Sequence, residues 1–453
     1  MGRNGKKEGP SSSRVFHLDH PSMSSEAFQI LCTGDVHLGR RPSRVPVEND
    51  KLSVRPVWDR FVETALNREV DAAVLTGDIV DSENQMYEAY GALERGIQDL
   101  VEGGVEVVAV AGNHDYSAFP RLARSIDLDG FHLLGQGGTW DEVQLNGPDG
   151  KEAARFVGWS FPRATEHASP LGDLEIPETD SPTVGVLHCE VGSDDGQYAP
   201  VQRDALARAP VDAWLLGHIH GPGEHREAGQ LQLYPGSLQP LDPGEPGVHG
   251  AWLIEVAPGE ITAEKLPLAS LRYKEFALDV TDLDSEEEIE AEVLQSLRED
   301  LAGLSDRWPE LSHVAYRLAF EGRTNLHREI EETVGQMARS LQPDVDGTTA
   351  TIESFELETR PDYDLEELAR GDDPPGVLAQ LLLKLSDGEV DDTRVRALLR
   401  RASKATAKIR ESSRYEPLRH DSETREPPGR EALRSMLYKQ GLLLLDELHE
   451  HRS

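Results

Sequence analysis

The sequence predicts an α/β protein with a small α+β module and a helical C-terminal region. Three observations lead there. Over residues 28–267, apolar runs rich in β-formers alternate with stretches of helical spacing. Five of those runs end in short polar stretches built from Asp, His, Asn and Gly. Beyond 267 a strand–helix–strand–helix–strand pattern covers 268–364, and 365–453 is helical throughout.

Residues 1–27 are polar and Ser-rich, so a disordered tail is expected, and Met23 offers an alternative start. The tail lacks the apolar core of a signal peptide, and no run of eighteen apolar residues follows, which predicts a cytoplasmic protein without a membrane span. Phe28 to Thr33 reads as a buried strand, Ser53 to Val70 as a helix, and Asp71 to Thr76 as a second strand. Met86 to Val101 reads as a helix and Val105 to Ala111 as a third strand. This β-α-β-α-β run places its polar residues at the carboxyl ends of strands, where open α/β sheets bind ligands. Further strands are expected at Phe131–Leu134, Ala154–Phe161, Thr183–Leu187, Val211–Leu216, Leu231–Tyr234 and Gly250–Val256.

In the α+β module, Leu271–Val280, Val314–Phe320 and Thr348–Thr359 read as strands, with helices over Asp282–Leu304 and Thr324–Ser340. Three helices follow at Pro375–Leu385, Asp392–Ser412 and Arg430–His451, the last two separated by Glu426-Pro427-Pro428-Gly429.

A chain of 453 residues exceeds what one hydrophobic core supports, so several domains are expected. Its net charge is −37, with the acids scattered and Arg outnumbering Lys 36 to 10. Self-repulsion on that scale is tolerable where salt screens it, which points to a halophile's salt-rich cytoplasm ahead of a basic partner. In such a cytoplasm the charge does not exclude a nucleic-acid substrate. Cys32 and Cys189 are too few for a disulfide framework and read as buried hydrophobes.

The chemistry lies in Asp35-Val36-His37, Gly77-Asp78-Ile79-Val80-Asp81, Gly112-Asn113-His114-Asp115, His188 and Gly217-His218-Ile219-His220. Carboxylate, imidazole and carboxamide are the donors that divalent metals take. A single His in an acidic protein is ordinarily a surface residue, Asp78 alone could cap a helix, and Asn113 alone could make a turn. Five such stretches, each after a strand, make a two-metal phosphodiester hydrolase the reading for the set. Gly34, Gly77, Gly112 and Gly217 read as turn residues behind the ligands. His167, His225, His249 and His327 lie outside these blocks and receive no role.

The order D-x-H, G-D-x-x-D, G-N-H-D, H, G-H-x-H resembles the calcineurin-like metallophosphoesterase superfamily. The resemblance implies a four-layer β-sandwich flanked by helices. It also implies two divalent metals, Mn²⁺ by family habit. Asp35, His37, Asp78 and His220 would hold one metal. Asp78 would bridge to the second, completed by Asn113, His188 and His218. His114 would act on the transition state or the leaving oxygen, with Asp115 and Asp81 as its orienting partners.

Within that superfamily, Asp35-Val36-His37-Leu38-Gly39 and Tyr234-Pro235-Gly236-Ser237 resemble motifs of the SbcD-type DNA repair exonucleases. That implies a nuclease subunit acting on DNA in double-strand break repair beside an SMC-like coiled-coil ATPase of the SbcC type, with a homodimer also expected. Asp81 stands where archaeal and eukaryotic relatives have a histidine, which places the chain nearer the bacterial-type branch. Arg40, Arg41 and Arg44 sit where cations could meet phosphates, or are solvated loop charges. Residues 391–420 hold nine Lys/Arg against four acids, net +5, a reversal that favours an anionic partner over a plain solvated face. The apolar residues of Arg430–His451 fit either packing on their own domain or docking to the ATPase. The competing reading is a small-substrate phosphodiesterase or phosphatase, for instance on cyclic nucleotides.

Overall fold

A computed structural model describes residues 27–45, 50–81, 86–147, 150, 152–177, 179, 181–193, 196–257, 259–327, 329–388, 392–410 and 429–450. The expected tail and Met23, the Pro-containing break at 426–428, and the basic residues Arg414 and Arg419 lie outside them. The chain divides into two compact units: residues up to Lys274 with Leu304–Val314, and Glu275–Gly303 with Ala315–Ser453.

The first unit opens with strand β1 (Phe28–Thr33), helix α1 (Val54–Asn67), β2 (Ala72–Leu75), α2 (Met86–Glu102), β3 (Glu106–Ala109), the short α3 (Phe119–Ala123) and β4 (Phe131–Leu133). Strands β1 to β4 are parallel neighbours; β1 to β3 are buried on both faces, as their apolar runs require, and β4 is a half-buried edge strand. A second set follows: β5 (Trp140–Asn146), β6 (Glu152–Trp159), β7 (Thr183–His188), α4 (Arg203–Arg208), β8 (Ala213–Gly217), β9 (Gly223–Glu227) and β10 (Gln230–Tyr234). The chain then returns through β11 (Gly250–Ala257) and β12 (Glu260–Pro267) to complete the first sheet, ordered β12-β11-β1-β2-β3-β4. The second sheet runs β5-β6-β7-β8-β10-β9.

Period-2 alternation decides which side chains go where. Ile30, Cys32, Val74 and Val108 point between the sheets and meet Phe156, Val186, Leu215 and Leu233. Leu31, Ala73, Leu75 and Val107 point outward to Trp58 and Phe61 of α1 and Leu93 and Ile97 of α2. Trp214 and Leu216 cover the outer face of the second sheet with Leu206 of α4. The result is helix, sheet, sheet, helix: the expected four-layer α/β sandwich, in a mixed α/β chain with a helical C-terminal region. Both cysteines are buried, Cys32 between the sheets and Cys189 on the outer face, and burial pushes both thiols up.

Next come β13 (Leu271–Asp279), α5 (Glu286–Arg307), β14 (His313–Thr324), α6 (Ile330–Ser340), β15 (Asp344–Val345) and β16 (Thr348–Pro361), mostly in the second unit, with the strands in a sheet ordered β13-β14-β16-β15. Helix α5 begins at Glu286, later than the acidic pattern predicts, because Asp282 sits at φ 65°, outside helical space. The chain closes with α7 (Leu365–Leu368), α8 (Pro374–Ser386), α9 (Thr393–Arg410) and α10 (Arg430–Glu450). Leu433 of α10 packs with Leu385, Val395 and Leu399, and Leu445 is buried. Self-packing therefore takes part of the α10 stripe, while Met436 and Leu444 stay exposed. Among the described residues, no helix is long and apolar enough to cross a membrane.

Candidate metal centre

The sequence-predicted residues converge beyond the carboxyl ends of β1, β2, β3, β7 and β8. The loop after β1 lies along the loop after β2. Asp35 donates its main-chain N–H to Gly77 O (3.0 Å), His37 to Asp78 O (2.9 Å) and Leu38 to Ile79 O (2.9 Å). This short ladder carries Asp35 and His37 to the side of Asp78. Four of the residues are held at positive φ without being glycine: Asp35 (46°), His37 (47°), Asp78 (53°) and His218 (98°). Left-handed backbone at non-glycine residues costs roughly 1–3 kcal/mol each and persists where surrounding structure over-determines it. Here it turns donor side chains inward.

The glycines beside them are set by clearance more than by torsion. A Cβ on Gly112 would lie 2.2 Å from Asp78 Oδ1, one on Gly217 2.1 Å from Thr76 O, and one on Gly34 2.0 Å from Thr76 Oγ1. Only Gly77 adds a left-handed φ, of 98°.

Two groups of donors result, Asp35 with His37 and His220, and Asp35 with Asp78 and His188; within each, the ligand atoms lie within 4.8 Å of one another. Asp78 Oδ2 stands 3.4 Å from His188 Nε2 and 4.0 Å from His37 Nε2, so this carboxylate reaches towards both sides. Asn113 Oδ1 lies 3.0 Å from His188 Nε2. His218 joins through its main-chain N–H, 3.1 Å from both Asp35 oxygens, and its ring lies edge-on to His188 at 5.4 Å.

Proton accounting supports a cation here. His188 Nδ1 faces Thr76 O at 3.1 Å, and a carbonyl only accepts, so Nδ1 carries the hydrogen. In the neutral ring Nε2 is then a lone pair facing two oxygens, Asn113 Oδ1 and Asp78 Oδ2. A second proton or a metal ion reconciles them. In the metal-free protein the proton serves: burial alone would lower the His188 pKa, but Asp78 raises it to about 9. The same pairing holds Asp78 below the usual carboxylate range against the opposing effect of burial. Burial pushes Asp35 up to about 6, and His37 and His218 down to about 3. His37 Nε2 and His220 Nε2 face each other at 3.3 Å. Oxygen and imidazole donors so arranged fit divalent first-row ions.

His114 is exposed, with its ring edge-on to His37 at 5.1 Å and its main-chain N–H donating to Asp78 Oδ1 (2.8 Å). That is an imidazole open to an incoming substrate. Asp115 accepts from the main-chain N–H groups of Ile79 (2.7 Å) and Gly112 (2.7 Å), tying the second and third loops together. Burial and nearby Asp78 push its pKa up to about 7. Asp81 pairs with Arg40 Nε at 3.3 Å.

Sequence reasoning missed several neighbours. Glu245 accepts from His220 Nδ1 at 2.8 Å, Tyr198 lies against the His218 ring at 4.8 Å, and Phe161 meets His188 edge-on at 5.7 Å. Glu245 lies in a Pro/Gly-rich loop with no periodic signal, and Phe161 closes an expected strand, where it reads as a core residue. Tyr234 of the Y-P-G-S turn donates its hydroxyl to Cys189 O (3.0 Å), one residue past His188.

Residues 28–222 match the family model described as calcineurin-like phosphoesterase, and residues 273–360 match the middle domain of metallophosphoesterase YhaO. An uncharacterized metallophosphoesterase YhaO of Bacillus subtilis is 26% identical over 225 residues, 49% of this chain and 54% of the relative. DNA double-strand break repair protein Mre11 of Aeropyrum pernix is 27% identical over 271 residues, 56% of this chain and 64% of the relative. Its namesake in Haloferax volcanii is 26% identical over 281 residues, 60% of this chain and 58% of the relative. The chain thus spans less than two thirds of the length of these relatives.

Proposed function

We propose that this chain, whose residues 28–222 carry a calcineurin-like phosphoesterase domain, is a two-metal-dependent nuclease subunit that hydrolyses phosphodiester bonds in DNA. The observation that carries the hydrolytic part is the convergence of Asp35, His37, Asp78, Asn113, His188 and His220 with lone pairs turned on one another. When bound, two divalent cations, Mn²⁺ in our reading, activate a water and neutralise the phosphoryl oxygens. The chain's own residues do the rest. Asp78 reaches both donor groups, the Asp115 clamp keeps its loop in register with Gly112, and exposed His114 protonates the leaving oxygen.

DNA as substrate is supported by the likeness to proteins named for double-strand break repair, and by helix α9. Over residues 393–408 that helix exposes Arg394, Arg396, Arg400, Arg401, Lys404 and Lys408 and holds no acid. A basic face on a chain of −37 suits a polyanion. Double-strand break repair beside an SMC-like ATPase is the context this reading implies.

The test is cleavage of single-stranded, blunt and hairpin DNA with Mn²⁺ in high salt, set beside cyclic nucleotides. The proposal expects DNA to be cut, and Arg400→Glu with Arg401→Glu to weaken DNA binding without slowing bis-p-nitrophenyl phosphate hydrolysis. Turnover of cyclic nucleotides with DNA left intact would replace it with the small-substrate reading.

A further inference from the structure

Beside the donor cluster runs a buried chain of polar groups that the reaction scheme does not use. His220 Nδ1 faces Glu245 Oε1 at 2.8 Å. The other oxygen, Glu245 Oε2, takes Ser237 Oγ at 2.6 Å and the main-chain N–H of Leu241 at 3.1 Å. Ser237 Oγ lies 3.0 Å from His249 Nδ1, which is also 3.0 Å from Ser237 O. Ser237 is wholly buried, and Glu245 and His249 are 8% and 2% exposed. Main-chain contacts reinforce the chain: Ser237 N–H donates to His220 O (2.9 Å), and Ser237 bridges to Gly34, the residue before Asp35.

The protons in this chain can be placed by elimination. A carbonyl only accepts, so His249 Nδ1 carries a hydrogen and points it at Ser237. Ser237 Oγ therefore accepts from His249 and gives its own hydrogen to Glu245. The ionised Glu245 accepts three times and has no hydrogen to offer, so His220 Nδ1 must donate. In the neutral ring His220 Nε2 is then a lone pair, 3.9 Å from Asp35 Oδ1 and 3.3 Å from His37 Nε2, facing the donor group. A carboxylate on the far nitrogen of a ligating imidazole fixes ring plane and tautomer and raises basicity. It also accounts for the serine of the Tyr234-Pro235-Gly236-Ser237 turn. That serine braces His220, while Tyr234 of the same turn anchors the carbonyl beside His188.

We propose that Glu245, held by Ser237 and His249, is a positioning residue that presents His220 Nε2 to a divalent metal ion. The inference rests on the metal-centre reading above and concerns affinity for the ion, so it does not depend on which phosphodiester is cut.

The experiment titrates metal-free full-length protein with Mn²⁺ and follows free Mn²⁺ by electron paramagnetic resonance, with no substrate present. Glu245→Ala should weaken one class of Mn²⁺ site by about 10–100-fold, and Glu245→Asp should recover part of the loss. His249→Phe, which cannot donate to Ser237, should weaken the same class, whereas His249→Asn, with an amide N–H near the Nδ1 position, should keep it. In selectively ¹⁵N-histidine-labelled metal-free protein, Glu245→Ala should shift the His220 signal from the Nδ1–H towards the Nε2–H tautomer. A purely structural role would not produce that shift or the Asn rescue. Wild-type Mn²⁺ affinity in folded Glu245→Ala, or an unchanged His220 tautomer, would overturn the inference. Failure of the wild-type protein to bind Mn²⁺ would instead count against the metal centre itself. Normal Mn²⁺ binding without DNA cleavage would count only against the substrate.

Discussion

Gly112→Ala tests whether the site glycines provide clearance behind the ligands. The added Cβ would sit 2.2 Å from Asp78 Oδ1, 2.7 Å from Asp78 N and 2.8 Å from Asp78 Cγ. Real Cβ contacts essentially never fall below 3.0 Å, so the carboxylate must withdraw by at least about 0.8 Å. It is not free to do so. Its Oδ1 accepts from the His114 N–H, its Oδ2 faces His188, and the encroached main-chain nitrogen belongs to the loop that Asp115 clamps. Overpacking of this kind costs about 1–3 kcal/mol, a fall in melting temperature of roughly 2–10 °C for a unit of this size. A displacement of about 1 Å in a group that positions the reaction costs on the order of 100-fold in rate. The assay is kcat/KM on bis-p-nitrophenyl phosphate and on DNA at saturating Mn²⁺, with thermal melts of the same samples. Gly221→Ala serves as the control, since no atom lies within 4 Å of its added Cβ and its φ is not left-handed. It should match wild type. Gly112→Ala within threefold of wild type on both substrates would refute the clearance argument.

Three further outcomes are expected. His114→Ala should lower hydrolysis by about 10²–10⁴-fold while Mn²⁺ titration stays near normal; full activity would remove His114 from the chemistry. Asp446→Ala should cost about 3 kcal/mol, because Asp446 of α10 is gripped by Arg323 through both oxygens (3.1 and 2.8 Å) and by Arg360 (3.2 Å). Hydrogen exchange should then rise across α10, and wild-type protection would contradict the clasp. Burial pushes the His313 imidazole down to about 4 from 6.5. At pH above 6.5 both folded and unfolded forms are neutral there. As pH falls towards 4 only the unfolded chain gains the proton, so about 3 kcal/mol of stability is lost across that window. His313→Gln should flatten the slope of denaturation midpoint against pH, and an unchanged slope would exclude His313 as its source.

The parts of the molecule legible in the sequence are those whose cause is local. Phe28–Thr33 and the runs at Ala72 and Glu106 are strands because parallel strands buried on both faces must be apolar throughout, and helices α1 and α2 between them show one apolar stripe each. The strands Trp140–Asn146, Gly223–Glu227 and Glu260–Pro267 were not legible. Gly223–Glu227 is nearly all exposed, and Glu260–Pro267 alternates between exposed and half-buried positions. Each pairs along the edge of a sheet whose neighbouring strand supplies the order, so the information sits in the partner. The donor residues were legible because each follows a strand and carries a metal-binding side chain. Their left-handed backbone, the clamp of Asp115 on main-chain amides, and Glu245 were not. Those depend on loops distant in the chain meeting in space: Glu245 lies 25 residues from His220, and its role is set by the 2.8 Å contact alone.

The central proposal is that these strand-end loops would hold two divalent ions, with Asp78 set between the two donor groups. Equilibrium dialysis of metal-free protein against Mn²⁺, with bound metal counted by mass spectrometry, tests it most directly. The account predicts two ions per chain in the wild type, and in folded Asp78→Ala the loss of both tight sites together with hydrolysis. A single tight ion in the wild type, or two ions and undiminished hydrolysis in Asp78→Ala, would contradict it.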